Sequence, residues 1–107
     1  MTGKYTIVYS TDALEDLRGI YSYIALEIME PDIAKGQVDR IRKKIRSLEV
    51  FPKGYGRVDW EPWASMEMRK LPVDNYIVYF LVEDKSMEVI IIRVFYGGMD
   101  VRSIMNP

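Results

Sequence analysis

Two consecutive segments with apolar side chains at helical spacing constrain the fold of this chain more than any other feature. The apolar positions of the first segment are Leu14, Leu17, Tyr21, Ile24 and Ile28, and those of the second are Ala34, Val38, Ile41, Ile45 and Leu48. Steps of three and four residues place side chains along one side of a helix. Because only a short break at Pro31 separates the segments, the pattern predicts a helical hairpin whose shared apolar face is buried against a sheet.

The start of the first helix is marked by residues that commonly cap helices. Ser10, Thr11 and Asp12 are candidate N-caps, and Asp12 with Glu15 has the spacing of a capping box. Ahead of these caps, residues 5–9 read Tyr-Thr-Ile-Val-Tyr. This β-branched and aromatic run predicts a first strand.

A loop rich in glycine, proline and aromatic residues follows the second helix. It begins at Phe51-Pro52 and continues through Trp60 to Ala64. Trp60 and Trp63 flank Pro62 in this loop. Two large aromatic side chains in this position favour closure of one end of the core over contact with a partner.

Strand-like patterns fill the rest of the chain. Three strands are predicted at residues 66–71, 76–82 and 87–95. Residues 89–92 are apolar without alternation, as expected of a central strand covered on both faces, whereas residues 66–69 alternate like an edge strand. The sequence therefore predicts an α+β fold, in which an N-terminal strand and a two-helix hairpin pack on a mainly antiparallel four-stranded sheet.

Length and composition favour one folded unit. With 107 residues, 49% of them hydrophobic and 29% charged, the chain suits a single core, and we expect one domain that spans residues 1–107. No segment has the roughly 18 to 20 apolar residues that cross a bilayer, and the start of the chain lacks a signal-peptide apolar stretch. We therefore expect a cytoplasmic protein that does not bind membranes.

The chain has neither cysteine nor histidine. The absence of cysteine excludes a disulfide framework, a thiolate metal site and a cysteine nucleophile. Without histidine, serine–histidine chemistry is excluded and a zinc site would need carboxylates alone, so no metal or cofactor is expected. The net charge of −1 provides no long-range attraction to nucleic acid, and binding of RNA or DNA would need a local basic patch.

Several landmarks, in this order, resemble the toxins of the RelE/ParE superfamily from about residue 5 to residue 104. They are Tyr9-Ser10 followed by Ala13, Asp16 and Leu17; Phe51-Pro52 with Gly54; Arg69-Lys70-Leu71 leading into Asn75-Tyr76 and Val78-Tyr79; and Arg93-Val94 followed by Tyr96 and Asp100. The resemblance implies a small cytoplasmic toxin of a type II toxin–antitoxin system that arrests growth and stabilises plasmids. Its main partner would be a cognate antitoxin, whose tail wraps the toxin and which alone contacts operator DNA.

The resemblance implies two targets, because toxins of the RelE kind cut messenger RNA on the ribosome whereas those of the ParE kind block DNA gyrase. RNA cleavage by a ribose 2′-hydroxyl needs a base, an acid and cations that stabilise the phosphate. Without histidine, the cations must be lysine or arginine. The candidates for such a site are Lys53, Arg57, Arg69, Lys70 and Arg93, with Tyr96 as acid, base or stacking group and Glu67 as a weaker base. Ribosome-dependent cleavage by an mRNA interferase, through Arg69, Lys70, Lys53, Arg57 and Tyr96, is therefore the first functional expectation.

The end of the last predicted strand departs from the pattern of many relatives. Those relatives carry a histidine and then one or two arginines here, whereas residues 96–100 read Tyr-Gly-Gly-Met-Asp. The missing arginines leave fewer cations for the phosphate. Two alternatives to cleavage therefore remain, a gyrase inhibitor that cuts nothing and a degenerate, non-toxic antitoxin-binding module.

Two groups of residues are candidates for antitoxin binding. Met66 and Met68 alternate along the predicted edge strand, and an apolar edge invites a partner unless it is covered. Arg40 and Lys44 belong to a basic face of the second helix, opposite its apolar stripe. Solvation is the ordinary role of such a face, and contact with acidic antitoxin residues or with nucleic-acid phosphate is the alternative.

Overall fold

The computed structural model describes residues 4–105 and has the predicted order of elements. The helices are α1 (Thr11–Ser22), α2 (Pro31–Arg46) and a short α3 (Val101–Ile104). The strands are β1 (Thr6–Tyr9), β2 (Arg69–Val73), β3 (Tyr76–Glu83) and β4 (Glu88–Tyr96). The predicted α+β fold, with two helices packed on a four-stranded sheet, is confirmed. No helix within residues 4–105 is long and apolar enough to cross a membrane.

The sheet has the strand order β1-β4-β3-β2, and β4 lies in its interior. β1 pairs with β4 in parallel, and the other two pairs are antiparallel. Val89 and Ile91 of β4 are fully buried, which confirms the prediction of a central strand. The parallel pair arises because the helical hairpin carries the chain from β1 across one face of the sheet.

Apolar side chains cover both faces of the sheet. The helix-side cluster contains the buried residues Ala13, Leu17, Ile41, Ile45, Leu48, Leu71, Val73, Val78, Phe80, Val89, Ile91 and Val94. The outer cluster contains Val58, Met68, Tyr79, Phe95 and Met105, with Trp60 and Trp63 packed against it. The indole N–H of Trp63 donates to the carbonyl of Met105 at 2.8 Å. The tryptophan loop and the C-terminal segment thus close the second face, in agreement with the core-closing role predicted for both tryptophans.

The buried face of α2 matches the sequence prediction except that Gln37 is buried and Val38 only half-buried, whereas that of α1 differs more. In α2, Ile41 and Ile45 are fully buried, and Leu48 is buried in the turn that follows. In α1 the buried residues are Ala13 and Leu17, so the stripe begins one position earlier than Leu14, and Tyr21 and Ile28 are exposed. The small side chain of Ala13 allows α1 to approach the sheet closely, which outweighs the greater hydrophobicity of Leu14.

One of the three predicted N-cap candidates begins the first helix, but the predicted capping box of Asp12 and Glu15 does not form. Ser10 is its N-cap and accepts a hydrogen bond from the Ala13 amide at 2.9 Å, whereas the predicted capping partner Glu15 pairs with Arg18. The Ser10 hydroxyl also donates to the carbonyl of Ile92 at 2.8 Å, which favours Ser10 over Asp12. After Ser22 the chain continues as one π-helical turn, Tyr23–Glu27.

The second strand begins at Arg69 rather than at the predicted residue 66. It includes Pro72, which is tolerated because β2 is an edge strand and proline has no N–H to donate. Residues 56–58 run beside its start, where the amide of Val58 donates to the carbonyl of Met68 at 2.9 Å. The segment before β2 is therefore part of the loop that covers the outer cluster.

The fold predicts different costs for the same substitution at two positions of α2. Ile41 is fully buried in the helix-side cluster, whereas Ile33 is 57% exposed. Ile41→Ala should lower the free energy of unfolding by about 3 kcal/mol, because it leaves a cavity against the sheet. Ile33→Ala should leave it nearly unchanged. Urea unfolding followed by circular dichroism measures both, and equal losses would contradict the packing described here.

Candidate functional site

An open groove of about 630 Å³ lies between α1 and the end of β4. Its walls are mainly apolar and aromatic and are formed by Gly19, Ile20, Tyr23, Tyr76, Tyr96, Met99 and Ile104. The rings of Tyr76 and Tyr96 meet edge to face with their centroids 5.9 Å apart. Arg93 and Asp16 also line the groove, and their contacts determine whether the groove offers a free cation.

Asp16 holds Arg93 in a two-point ion pair. The Arg93 Nε and Nη2 atoms donate to the two carboxylate oxygens of Asp16 at 2.8 and 2.9 Å, and the Val94 amide donates to the same carboxylate at 2.9 Å. Hydrogen bonding to Asp16 raises the pKa of Arg93 above its ordinary value. The guanidinium also lies over the ring of Phe95, 4.4 Å from its centroid. Arg93 is therefore a structural cation rather than one that is free to bind phosphate.

Lys53 also has a carboxylate partner. Its Nζ atom lies 2.6 Å from Asp84 Oδ2, and the Tyr5 hydroxyl donates to Asp84 Oδ1 at 2.9 Å. The hydrogen bond to Asp84 raises the pKa of Lys53, and the one from Lys53 is the main cause of a lowered pKa for Asp84. Lys53 is thus held in its charged form, but the charge is neutralised by a contact that joins its loop to the β3–β4 turn.

Arg57 and Arg69 lie side by side, because residues 57 and 69 form an isolated antiparallel bridge. Arg57 pairs with Glu67 at 2.8 Å. Arg69 donates from Nη1 to the carbonyl of Tyr55 at 2.7 Å. Glu67, the weaker candidate base, is therefore paired with the candidate cation Arg57. Arg69 is hydrogen-bonded to the backbone.

The remaining two candidates lie apart from this group. Lys70 is opposite Tyr79 in the sheet, so its side chain points to the outer face, away from that of its neighbour Arg69. Tyr96 is opposite Tyr76, whereas Arg69 is opposite Phe80. Four positions of β3 separate these two levels, which is about 13 Å along the strand. The structure thus brings Arg57 and Arg69 together but does not bring Lys70 or Tyr96 to them.

The residues predicted to bind an antitoxin have different environments. Met68 is fully buried in the outer cluster, so the expected exposed methionine edge is wrong at this position, because the tryptophan loop covers it. Met66 is exposed in the turn before β2. Arg40 pairs with Asp74 of the β2–β3 turn at 2.8 Å, and Lys44 is exposed.

The sequence reasoning missed an apolar surface at the end of the helical hairpin. This surface, called the hairpin tip below, consists of the exposed residues Tyr23, Leu26, Ile28, Met29 and Ile33. Leu26 is 73% exposed and Met29 is 78% exposed. Three acidic residues, Glu27, Glu30 and Asp32, lie between or beside these apolar residues in the sequence and are exposed. The available signal was that Tyr23, Leu26, Met29 and Ile33 are apolar but lie outside both predicted helical stripes.

A second apolar surface surrounds the Phe51-Pro52 landmark. Val50, Phe51, Pro52 and Met87 line an open groove of about 800 Å³, with Lys53 at its edge. Phe51 has a left-handed backbone with φ of 59° and is exposed. The buried Pro52 that follows holds the chain in place and directs the phenylalanine outward.

Several solved structures of toxins from toxin–antitoxin systems share this fold. A toxin from the chromosomal ParDE system of P. aeruginosa matches with a TM-score of 0.70 and 24% identity, over 89% of this chain and 98% of that one. The RelBE2 toxin–antitoxin complex from Mycobacterium tuberculosis matches with a TM-score of 0.62 and 18% identity, over 87% and 98%. A mutant E. coli RelE toxin in the free state gives 0.62 and 16%, over 94% and 92%. The protein thus has the fold of the RelE/ParE toxin superfamily.

Comparison with models of protein families assigns the chain to one particular toxin family. The model of the ParE toxin of the type II toxin–antitoxin system parDE matches residues 7–101. The chain belongs to this ParE toxin family and is a toxin of a type II toxin–antitoxin system. No curated protein matches it in a sequence comparison. The resemblance inferred from the sequence landmarks is confirmed at the level of the superfamily.

The Asp16–Arg93 pair predicts a large stability effect from one acidic residue of α1. The side chains of Asp16 and Arg93 are only 13% and 23% exposed. Asp16→Ala should lower the free energy of unfolding by about 3 kcal/mol, because it leaves the guanidinium and the Val94 amide without their acceptor. Glu15→Ala removes an exposed pair on the same helix and should have little effect. Urea unfolding of both variants is the measurement, and similar midpoints would contradict a structural role for Asp16.

Proposed function

We propose that this toxin arrests growth by binding its target rather than by cutting messenger RNA, and that the target is DNA gyrase. The observation that carries the proposal is the dispersal of the five candidate catalytic side chains. Membership of the ParE toxin family also supports inhibition of gyrase, since the ParE resemblance implies a gyrase inhibitor.

The chemistry of RNA cleavage explains why dispersal matters. A nuclease without a metal must place its cations and its acid within hydrogen-bond distance of one phosphate. Lys53 and Arg57 are paired with carboxylates, and Lys70 lies on the other face of the sheet from Arg69. Tyr96 is about 13 Å farther along the strands from Arg69. Assembly of such a site would require these two ion pairs to break and the strands to rearrange.

The hairpin tip supplies the kind of surface that a binding toxin needs. Exposed apolar side chains on a small protein commonly mark a contact with another protein. Leu26 and Met29 are the two most exposed side chains of the tip and contribute little to packing within the chain. We assign the contact with gyrase to this tip.

The proposal also includes a cognate antitoxin. Structures similar to this chain include the ParDE system of P. aeruginosa and the RelBE2 complex of M. tuberculosis. The first is a toxin–antitoxin system and the second a toxin–antitoxin complex. We infer that a partner of the same kind holds the present toxin inactive.

The two mechanisms predict different outcomes for conservative changes at the candidate catalytic residues. Tyr96→Phe removes only a hydroxyl, which in a nuclease would cost about a hundredfold or more in cleavage if it were the general acid. Under the binding proposal, Tyr96→Phe and Lys70→Ala should keep full toxicity. The measurement combines growth after induction, plasmid supercoiling on gels and mapping of RNA ends. Loss of supercoiling with intact transcripts is expected, and rapid transcript cleavage with normal supercoiling would refute the proposal.

In contrast to the changes at Tyr96 and Lys70, changes at the hairpin tip should weaken the inhibition of gyrase. Leu26→Glu combined with Met29→Glu adds two charges to the proposed contact without disturbing the core, because both side chains are exposed. We expect inhibition of purified gyrase to weaken by about tenfold or more, since burying unpaired charge opposes association. Val50→Glu is the control, because Val50 is also exposed but lies in the other groove. Equal inhibition by the tip variant and the wild type would remove the tip from the mechanism.

A further inference from the structure

The first strand leaves one side of its backbone without partners. The Thr6 amide donates to the Met87 carbonyl at 2.8 Å, and the Ser10 amide donates to the Ile91 carbonyl at 2.9 Å. In a parallel pair, alternate residues direct both N–H and C=O toward the neighbouring strand. The residues between them, Ile7 and Tyr9, therefore direct these groups away from β4.

These outward groups are not satisfied within the described chain. Among the described residues, the only backbone hydrogen bond on this side is made ahead of the strand, where the Tyr5 amide donates to the Glu49 carbonyl at 3.0 Å. Within residues 4–105, no backbone hydrogen bond involves the amide or carbonyl groups of Ile7 and Tyr9. The outer edge of β1 is thus open from Ile7 onward.

The opposite edge of the sheet is closed by the chain itself. Along β2, the Val58 amide donates to the Met68 carbonyl, the Lys70 amide donates to the Gly56 carbonyl, and Pro72 has no N–H. Proteins commonly block a free edge in these ways because unpaired strands attract other chains. An edge that lacks such protection, in a protein that protects its other edge, is suited to a partner strand.

The surroundings of the open edge are basic. The Arg42 guanidinium lies over the Tyr9 ring, 5.0 Å from its centroid. Burial raises the pKa of the Tyr9 hydroxyl, and the nearby charges of Arg42 and Arg46 act in the opposite direction. Within the part of the chain that the structure covers, neither arginine forms a salt bridge. Both cations are therefore available to a carboxylate that approaches Tyr9.

We propose that the outer edge of β1 binds an extended, acidic segment of the antitoxin, which adds a strand to the sheet beside Ile7 and Tyr9 and pairs with Arg42 and Arg46. This inference rests on the proposed antitoxin partnership. A strand added there places every second side chain on the face where Tyr9 lies. An acidic side chain at that level gains charge-assisted hydrogen bonds from the arginines.

Two other occupants fit this edge less well. A second copy of the chain offers no acidic residue between Lys4 and Tyr9, and two β1 edges together would bring their arginines close to each other. A nucleic acid would meet the basic side chains but has no main-chain amides and carbonyls that continue a β-ladder. Only an acidic polypeptide can both continue the sheet along this edge and pair with the two arginines.

The test uses the full toxin and the protein encoded by the adjoining reading frame. Backbone amide exchange, resolved by residue, is measured for the free toxin and for the complex isolated by gel filtration. We expect the Ile7 and Tyr9 amides to exchange rapidly in the free toxin and at least tenfold more slowly in the complex, as hydrogen-bonded amides do. The Val8 amide points toward β4 and should be protected in both, which makes it the internal control.

A charge-matched pair of variants tests the acidic character of the segment. Arg42→Glu with Arg46→Glu should weaken the complex by about tenfold or more, because each lost charge-assisted bond contributes on this scale. Lys35→Glu with Lys43→Glu makes the same change of charge on the same helix but at residues that do not contact Tyr9, and it should weaken the complex much less. Equal weakening would show a nonspecific charge effect and would overturn the assignment of the arginines.

The outcomes separate this inference from the proposed function. A stable complex in which Ile7 and Tyr9 exchange as fast as in the free toxin would overturn the added strand while leaving the antitoxin partnership intact. Failure of the two proteins to associate would refute the partnership itself. Protection of both amides in the free toxin that increases with its concentration would identify a second copy as the occupant and would also overturn the inference.

Discussion

The carboxylate of Asp16 is the contact on which the arrangement of helices and sheet depends. It accepts hydrogen bonds from Arg93 and from the Val94 amide at the level where β4 continues beyond the end of β1. A buried amide without an acceptor costs about 1 to 3 kcal/mol, and a buried arginine without its partner costs more. A single side chain of α1 therefore completes the edge of β4 and fixes the helix over it. The groove beside Tyr96 exists because α1 is held in this position.

Local patterns in the sequence predict the order of elements but not the side chains that face the core. Periodicity selects Leu14 for the buried face of α1, because a larger apolar side chain gains more on burial. The close contact between α1 and the sheet instead buries Ala13. Alternation likewise predicts an exposed edge at Met68, whereas the distant tryptophan loop covers it. In both cases the deciding contact is made with residues far away in the sequence.

The same limitation applies to the candidate site. Residue type and family resemblance identify Lys53 and Arg57 as cations, but their chemistry depends on partners that no local pattern predicts. Asp84, which neutralises Lys53, is 31 positions away. The hairpin tip escapes prediction for a different reason, because its apolar residues lie on both sides of a helix break and all but Ile28 fall outside the two predicted stripes. A charged or apolar residue becomes a functional candidate only when its neighbours in space are known.

The positions of the two proposed surfaces constrain how an antitoxin neutralises this toxin. β1 leads directly into the start of α1, whereas the tip lies at the other end of the hairpin. The helical turns from Thr11 to Glu27 span about 25 Å at 1.5 Å per residue. A strand of a few residues at the β1 edge therefore leaves Leu26 and Met29 uncovered. If the tip contacts gyrase, the segment that binds β1 serves as an anchor, and a further part of the antitoxin must follow the hairpin to reach the tip.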